Sequence, residues 1–144
     1  MAVEVALAVL EQRGRWLIQL RDDIPGIVAP GCWGLFGGHL DPGEQPEQAL
    51  RRELREEIAY EAAALEPWYC SDQEGRVRHV FRGVLSCPLH ELQLLEGQDM
   101  ALTNLDELRS GQVWSLKLGG HRPLAPSLLE AVERQGMPAA QCSR

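Results

Sequence analysis

The chain has 144 residues, 44% of them hydrophobic and 24% charged, which suits one globular core and leaves little length for a second. Its 14 Lys plus Arg against 21 Asp plus Glu give a net charge of −7, which opposes extended binding to nucleic acid or anionic lipid. The apolar opening, Val3 to Leu10, carries Glu4 and lacks a secretory pattern, and no run approaches the roughly 18 to 20 apolar residues of a membrane span, so a cytoplasmic location and no membrane partner are expected.

Val3, Val5, Leu7 and Val9 fall on one face of an extended segment, and Trp16, Ile18 and Leu20 repeat the alternation after the polar turn Glu11 to Arg15, which predicts a β-hairpin. A loop punctuated by Pro25-Gly26 and Pro30-Gly31 leads to Cys32 to Gly38, a short strand ending in glycines. Asp41-Pro42-Gly43 is a turn. Pro46 then tolerates a first helical position, and Leu50, Leu54 and Ile58 form the buried stripe of a helix from Pro46 to Ile58. Ala63 to Cys70 and Val77 to Leu85 read as a second hairpin across the turn Asp72 to Gly75. Thr103 to Leu108 has the cap of a short helix, and Ala125 to Arg134 is a longer amphipathic one. Cys32, Cys70, Cys87 and Cys142 are scattered and suggest neither zinc nor a disulfide framework. The order of elements predicts an α/β (α+β) domain over 1–136, a mixed sheet flanked by helices, with 137–144 a flexible tail.

The chemistry is concentrated on the first helix. Setting Leu50 at zero and advancing about 100° per residue puts Glu56, Glu53 and Glu57 near 240°, 300° and 340°, a shared arc of roughly 100°. Like charges three and four residues apart repel by a few tenths of a kcal/mol, and Arg51 and Arg55 point elsewhere, while Arg52 borders the arc and can pair with one carboxylate. A solvated acidic face is the bland alternative; a site for a hard cation is the functional one, because Mg²⁺ and Mn²⁺ prefer carboxylate and carbonyl oxygens and leave places for substrate phosphates.

From Gly38 the chain has five residues, Glu44, seven residues, then Arg52-Glu53-Leu54-Arg55-Glu56-Glu57-Ile58-Ala59-Tyr60. This resembles the signature box of the Nudix hydrolases, G-x5-E-x7-R-E-U-x-E-E-x-G-U with U bulky and apolar. Six fixed positions and one apolar one should match by accident about once in 10⁷ to 10⁸ starts. The sequence departs from the box at Ala59, where the pattern has glycine and a left-handed helix end would cost alanine about 1 kcal/mol. The flanking segments also resemble a small MutT-like Nudix domain.

The resemblance implies a Nudix-type α/β/α sandwich, a curved mixed sheet between helices, with Glu53, Glu56 and Glu57 as metal ligands and catalytic residues and the carbonyl of Gly37 as a further ligand. It implies that Gly38, Glu44 and Arg52 support the site, and that Glu56 or Glu57 is the general base. A later loop acid is used by some members. Here Glu96-Gly97-Gln98-Asp99 lies in that region, with Gln98 where glutamate is common, which shifts weight to the helix. Arg21 is placed to meet a phosphate or is a plain surface arginine, Trp33 either stacks on a base or, as strand tryptophans more often do, belongs to the core, and His39 either lines the site or faces water. The expected function is Mg²⁺- or Mn²⁺-dependent hydrolysis of a diphosphate bond in a nucleoside triphosphate or nucleotide sugar, with a homodimer as the expected assembly. The alternatives are a catalytically silent module that senses a nucleotide sugar or ADP-ribose, and a structural protein with no metal dependence.

Overall fold

The computed structural model describes residues 3–73 and 75–136. Strands β1 (Val3–Gln12) and β2 (Arg15–Leu20) meet at a two-residue turn in which Arg13 and Gly14 take positive φ, 53° and 76°, the hand that matches strand twist. They pair only at Glu11↔Trp16 and Gln12↔Arg15, so the first expected hairpin is much shorter than its alternation suggested. Beyond those pairs the strands diverge, and the segment read as one strand, 32–38, fills the opening as two: β3 (Trp33–Gly34) pairs with β2, and β4 (Phe36–His39) pairs with Val5 to Ala8 of β1.

Helix α1 (Pro46–Ile58) follows at its expected limits. The second hairpin forms as β5 (Glu66–Gln73) and β6 (Arg76–Val84), shifted from the expected bounds and carrying a bulge between Pro67 and Tyr69. β6 runs parallel to β1 from Val3↔Arg76 to Glu11↔Val84, which makes the sheet mixed. Strand β7 (Asp99–Thr103), absent from the sequence reading, pairs with β2 from Trp16↔Thr103 to Leu20↔Asp99. Helix α2 (Leu105–Arg109) is capped by Asn104, whose side chain accepts from the Glu107 N–H. A separate hairpin of β8 (Gln112–Ser115) and β9 (Gly120–Pro123), also unpredicted, precedes α3 (Pro126–Arg134).

Both faces of β1 are buried. Ala6, Ala8 and Leu10 pack with Phe36, Leu50, Leu54 and Ile58, and the small alanines let α1 lie close to the sheet. Val5, Leu7 and Val9 pack on the other face with Trp16, Trp33, Leu128, Ala131 and Val132. The result is the expected α/β/α sandwich. Each fully buried stripe residue of α1 contributes roughly 1.5–3 kcal/mol, which holds the acidic edge of that helix in place.

No helix among the described residues is long and apolar enough to cross a membrane. Cys32 and Cys87 are free thiols, but Cys70 is disulfide-bonded, a bond that the scattered cysteine spacing did not suggest. Cys142 and the expected tail 137–144 lie outside the described residues.

Candidate active site

Helix α1 is set at both ends by local bonds. At its start the Gln45 N–H donates to Gln48 Oε1 (2.8 Å). At its end Ala59 takes φ 53° and ψ 38°, its N–H reaching Arg55 O (3.0 Å) and that of Tyr60 reaching Leu54 O (3.2 Å). Alanine thus closes the helix in the left-handed conformation where the box has glycine. The last carbonyls of the helix do not face water. Glu57 O accepts from Leu95 N–H (2.8 Å) and Ile58 O from Gln93 N–H (3.2 Å), tying the segment before β7 to the helix that carries the carboxylates.

At the opening between β1 and β2, the Glu57 carboxylate is only 3% exposed as a residue and accepts from the Gly37 N–H (2.8 Å). Burial pushes its carboxyl up to about 9; the Gly37 N–H opposes that shift, the charges of Glu96 and Glu53 add to it, and Arg21 counters. The Glu53 carboxylate lies against Gly38, where an added Cβ would meet its atoms at 2.7–2.9 Å. Burial raises this carboxyl as well, against the hydrogen bond from Arg52. At Gly37, φ is 136° and an added Cβ would come within 2.0 Å of Ala6 O, so that position demands glycine on both counts. The two glycines let main chain and carboxylates approach as no other residue pair would.

Arg52 organises the cluster. It grips Glu44 through Nε (2.8 Å) and Nη2 (2.9 Å), and its Nη1 reaches Glu53 (3.0 Å) and Glu56 (3.2 Å). Nη2 also donates to the carbonyl of His39 (3.0 Å). These bonds, with the Asp41 N–H, hold the Glu44 carboxyl down at about 2, while Glu44 in turn raises the Arg52 pKa. The sequence allowed Arg52 one acidic partner; it has three at hydrogen-bond distance and Asp41 at 3.5 Å.

Of the residues expected at the site, Gly37, Gly38, Glu53 and Glu57 are gathered at one edge, with Glu44 and Arg52 behind them. Glu56 stands further out, its side chain 57% exposed. Arg21 lies over Gly34, donates from Nε to Val28 O (2.7 Å) and is near enough for Glu57 to feel its charge. The His39 side chain is exposed. Trp33 does not serve as a stacking platform: it is 0% exposed and its indole N–H donates to Val113 O (2.9 Å), so it belongs to the core.

The sequence reading set the later loop aside because of Gln98 and so passed over Glu96. Gln98 is a clamp, its side-chain amide on Arg21 O (2.9 Å) and its N–H on Leu20 O (2.8 Å). Glu96 has its carbonyl fixed by the Gln19 side chain (2.9 Å), and its charge is felt by both Glu53 and Glu57. Nothing in local sequence periodicity separates an acid at 96 from one at 98.

Among the described residues no three His, Cys, Asp or Glu side chains are already gathered at metal-holding spacing, because Arg52 draws Glu53 and Glu56 toward itself. The donor chemistry nevertheless suits a hard cation. A buried carboxylate, Glu57, is surrounded by further carboxylates rather than paired with a base, and a divalent charge would relieve that repulsion.

A family model described as the NUDIX domain matches residues 1–125. The chain belongs to the Nudix hydrolase family. Members of this family generally use divalent metal cations and act on small nucleotide-like substrates. The nucleoside triphosphatase NudI of Enterobacter sp. (strain 638) is 37% identical over 70 residues, 47% of this chain and 49% of that protein, and NudI of Escherichia coli O9:H4 (strain HS) is 39% identical over the same shares. The Nudix chain therefore spans about half the length of the curated relatives it matches. In fold it is similar to a MutT NUDIX hydrolase from Burkholderia pseudomallei (TM-score 0.73, 22% identity, 92% of this chain and 97% of that one). It is also similar to the NUDIX domain of Shewanella oneidensis NrtR, solved with ADP ribose (TM-score 0.70, 22% identity, 94% and 86%).

Proposed function

We propose that this chain hydrolyses a diphosphate bond in a nucleoside diphosphate linked to another moiety, a nucleoside triphosphate or a nucleotide sugar, with Mg²⁺ or Mn²⁺ as cofactor. The observation that carries this reading is the buried Glu57 carboxylate, fixed by the Gly37 N–H beside Glu53 and facing the charge of Glu96.

Glu53, Glu56 and Glu57, with the Gly37 carbonyl, are the groups that would hold the cation. Glu56 is exposed enough to leave Arg52 for it. When bound, a divalent cation supplies positive charge for the diphosphate oxygens and makes an attacking water more acidic. The chain's own residues do the rest. Glu44 and Arg52 fix the carboxylates from behind, Arg21 approaches a phosphate from the end of β2, and His39 lines the way in. A carboxylate, Glu56 or Glu57, takes the proton as water oxygen bonds to phosphorus and the bridging P–O bond breaks toward the leaving phosphate. Glu96, pinned next to Glu57, is a third candidate for that proton.

The test is a turnover panel of nucleoside triphosphates, nucleotide sugars, ADP-ribose and dinucleoside polyphosphates with Mg²⁺ or Mn²⁺, run beside Glu57→Gln. At least one compound is hydrolysed, and the variant loses on the order of a hundredfold or more of kcat. Binding without turnover by the unmodified chain would favour a silent sensor, and turnover indifferent to chelation would reject the cation.

A further inference from the structure

The segment 93–98, which leads into β7, is bonded on two sides. Toward α1, the Gln93 N–H donates to Ile58 O (3.2 Å) and the Leu95 N–H to Glu57 O (2.8 Å). Toward β2, the Gln98 N–H donates to Leu20 O (2.8 Å). Two side-chain amides add to this: Gln98 Nε2 donates to Arg21 O (2.9 Å) and Gln19 Nε2 to Glu96 O (2.9 Å). The segment is thus a strap from the helix that carries Glu53 and Glu57 to the strand end that carries Arg21, with Glu96 upon it.

Gln19 is 3% exposed, in a strand whose other buried residues, Trp16, Leu17, Ile18 and Leu20, are all apolar. Alternation with Leu17 puts Gln19 and Arg21 on the α1 face of the sheet. A buried amide is costly unless bonded, and this one donates to the carbonyl of Glu96. The strap lies directly on it, since a Cβ at Gly97 would meet Gln19 Cγ and Leu20 O at 2.9 Å. Gln98 stands where glutamate is common in the family. An ionised glutamate only accepts, so it could not donate to Arg21 O as the amide does. Among the described residues no hydrogen bond holds the Glu96 carboxylate, so its place is set through its main chain. From that place its charge reaches both Glu53 and Glu57.

We propose that Gln19 and Gln98 are positioning residues of the hydrolytic site: as neutral donors they lock the strap to β2, and so hold the Glu96 carboxylate and Arg21 at fixed places beside the α1 glutamates. The consequence for rate rests on the hydrolysis reading given above; the placement does not. A carboxylate that receives a proton from water must stand within hydrogen-bond reach of it, so a strap loosened by about 1 Å slows the reaction while leaving the α1 carboxylates where they are.

The test measures kcat, KM and the Mn²⁺-induced NMR line broadening of backbone amides in the intact chain. It compares the unmodified protein with Gln19→Met, Gln98→Glu, Glu96→Gln and the double variant Gln19→Met/Glu96→Gln. Gln19→Met keeps the side-chain length and removes the amide; it is expected to lower kcat about tenfold with KM changed less than about twofold. In the Glu96→Gln background the same substitution is expected to cost less than about twofold, because its effect passes through Glu96. An equal loss in both backgrounds, or no loss in either, makes Gln19 merely structural and overturns the proposal. Gln98→Glu, at a partly exposed position, is expected to lower kcat about tenfold. A kcat unchanged or raised by it overturns the proposal, since an acid at 98 would then serve as well as the clamp. Mn²⁺ is expected to broaden the Glu96 and Gly97 amides of the unmodified chain, and to broaden them less in Gln19→Met. Hydrolysis of nothing in the panel would reject the hydrolysis reading alone, and the broadening would still decide this one: none at Glu96 in the unmodified chain, or the same in Gln19→Met, overturns it.

Discussion

Gly37 and Gly38 are neighbours in one short strand, yet replacing each with alanine has opposite consequences. At Gly38 the new methyl would meet Glu53 Cδ, Oε1 and Oε2 at 2.7, 2.8 and 2.9 Å. An ordinary contact is about 3.5 Å, so the carboxylate must retreat by about 0.7 Å. The obstacle is the far end of a flexible side chain, and the backbone there needs no positive φ, so Gly38→Ala should unfold only about 1 kcal/mol more easily. If Glu53 holds the cation as proposed, a displacement of that size should cost roughly 10- to 100-fold in kcat. At Gly37 the methyl would run into the Ala6 carbonyl at 2.0 Å from a φ of 136°, and neither backbone segment can yield. Gly37→Ala should therefore lose roughly 3 kcal/mol or more, or fail to fold. Urea unfolding followed by Trp fluorescence gives the stabilities, and steady-state hydrolysis of the best substrate gives kcat. A Gly38→Ala protein with undiminished kcat would refute the placement of Glu53 at the reacting centre, and a Gly37→Ala protein of unchanged stability would refute the packing of β4 on β1.

Two further outcomes follow from the same geometry. Because the folded Glu57 carboxyl titrates at about 9, above its unfolded value, the cation-free folded chain binds the extra proton, so stability is full below the unfolded value and is lost as pH rises toward 9. Thermal melts in chelator between pH 5 and 9 should decline at up to about 1.4 kcal/mol per pH unit where the slope is steepest, and Glu57→Gln should flatten the profile; an unchanged slope in the variant would assign it elsewhere. Ala59→Gly, which relieves the left-handed alanine at the end of α1 against a larger unfolded-state entropy, should stabilise by about 0.5 kcal/mol and leave kcat unaltered, and a loss of stability on chemical denaturation would contradict the Ala59 conformation.

What could be read in the sequence was whatever depends on near neighbours. The i, i+4, i+8 stripe of Leu50, Leu54 and Ile58 marked α1 at its true limits, the cap at Asn104 marked α2, and alternation marked the β5–β6 hairpin, because each is set by interactions within one or two turns of chain. The box spacing likewise brought Glu44, Arg52, Glu53 and Glu57 to one helix and its approach, where they are found. Other features were decided only by packing over long separations. Alternation shows which residues share a strand face but not which strand lies alongside, so it extended the first hairpin and missed that β3 and β4 enter between β1 and β2. Trp33 went to the core because that crossing carried it inward, and Glu96 came to Glu57 because main-chain bonds tie Gln93 and Leu95 to the end of α1. Arg78 and Glu130, 52 residues apart, meet only because α3 returns across the same sheet, and such proximity costs loop entropy that no local pattern records.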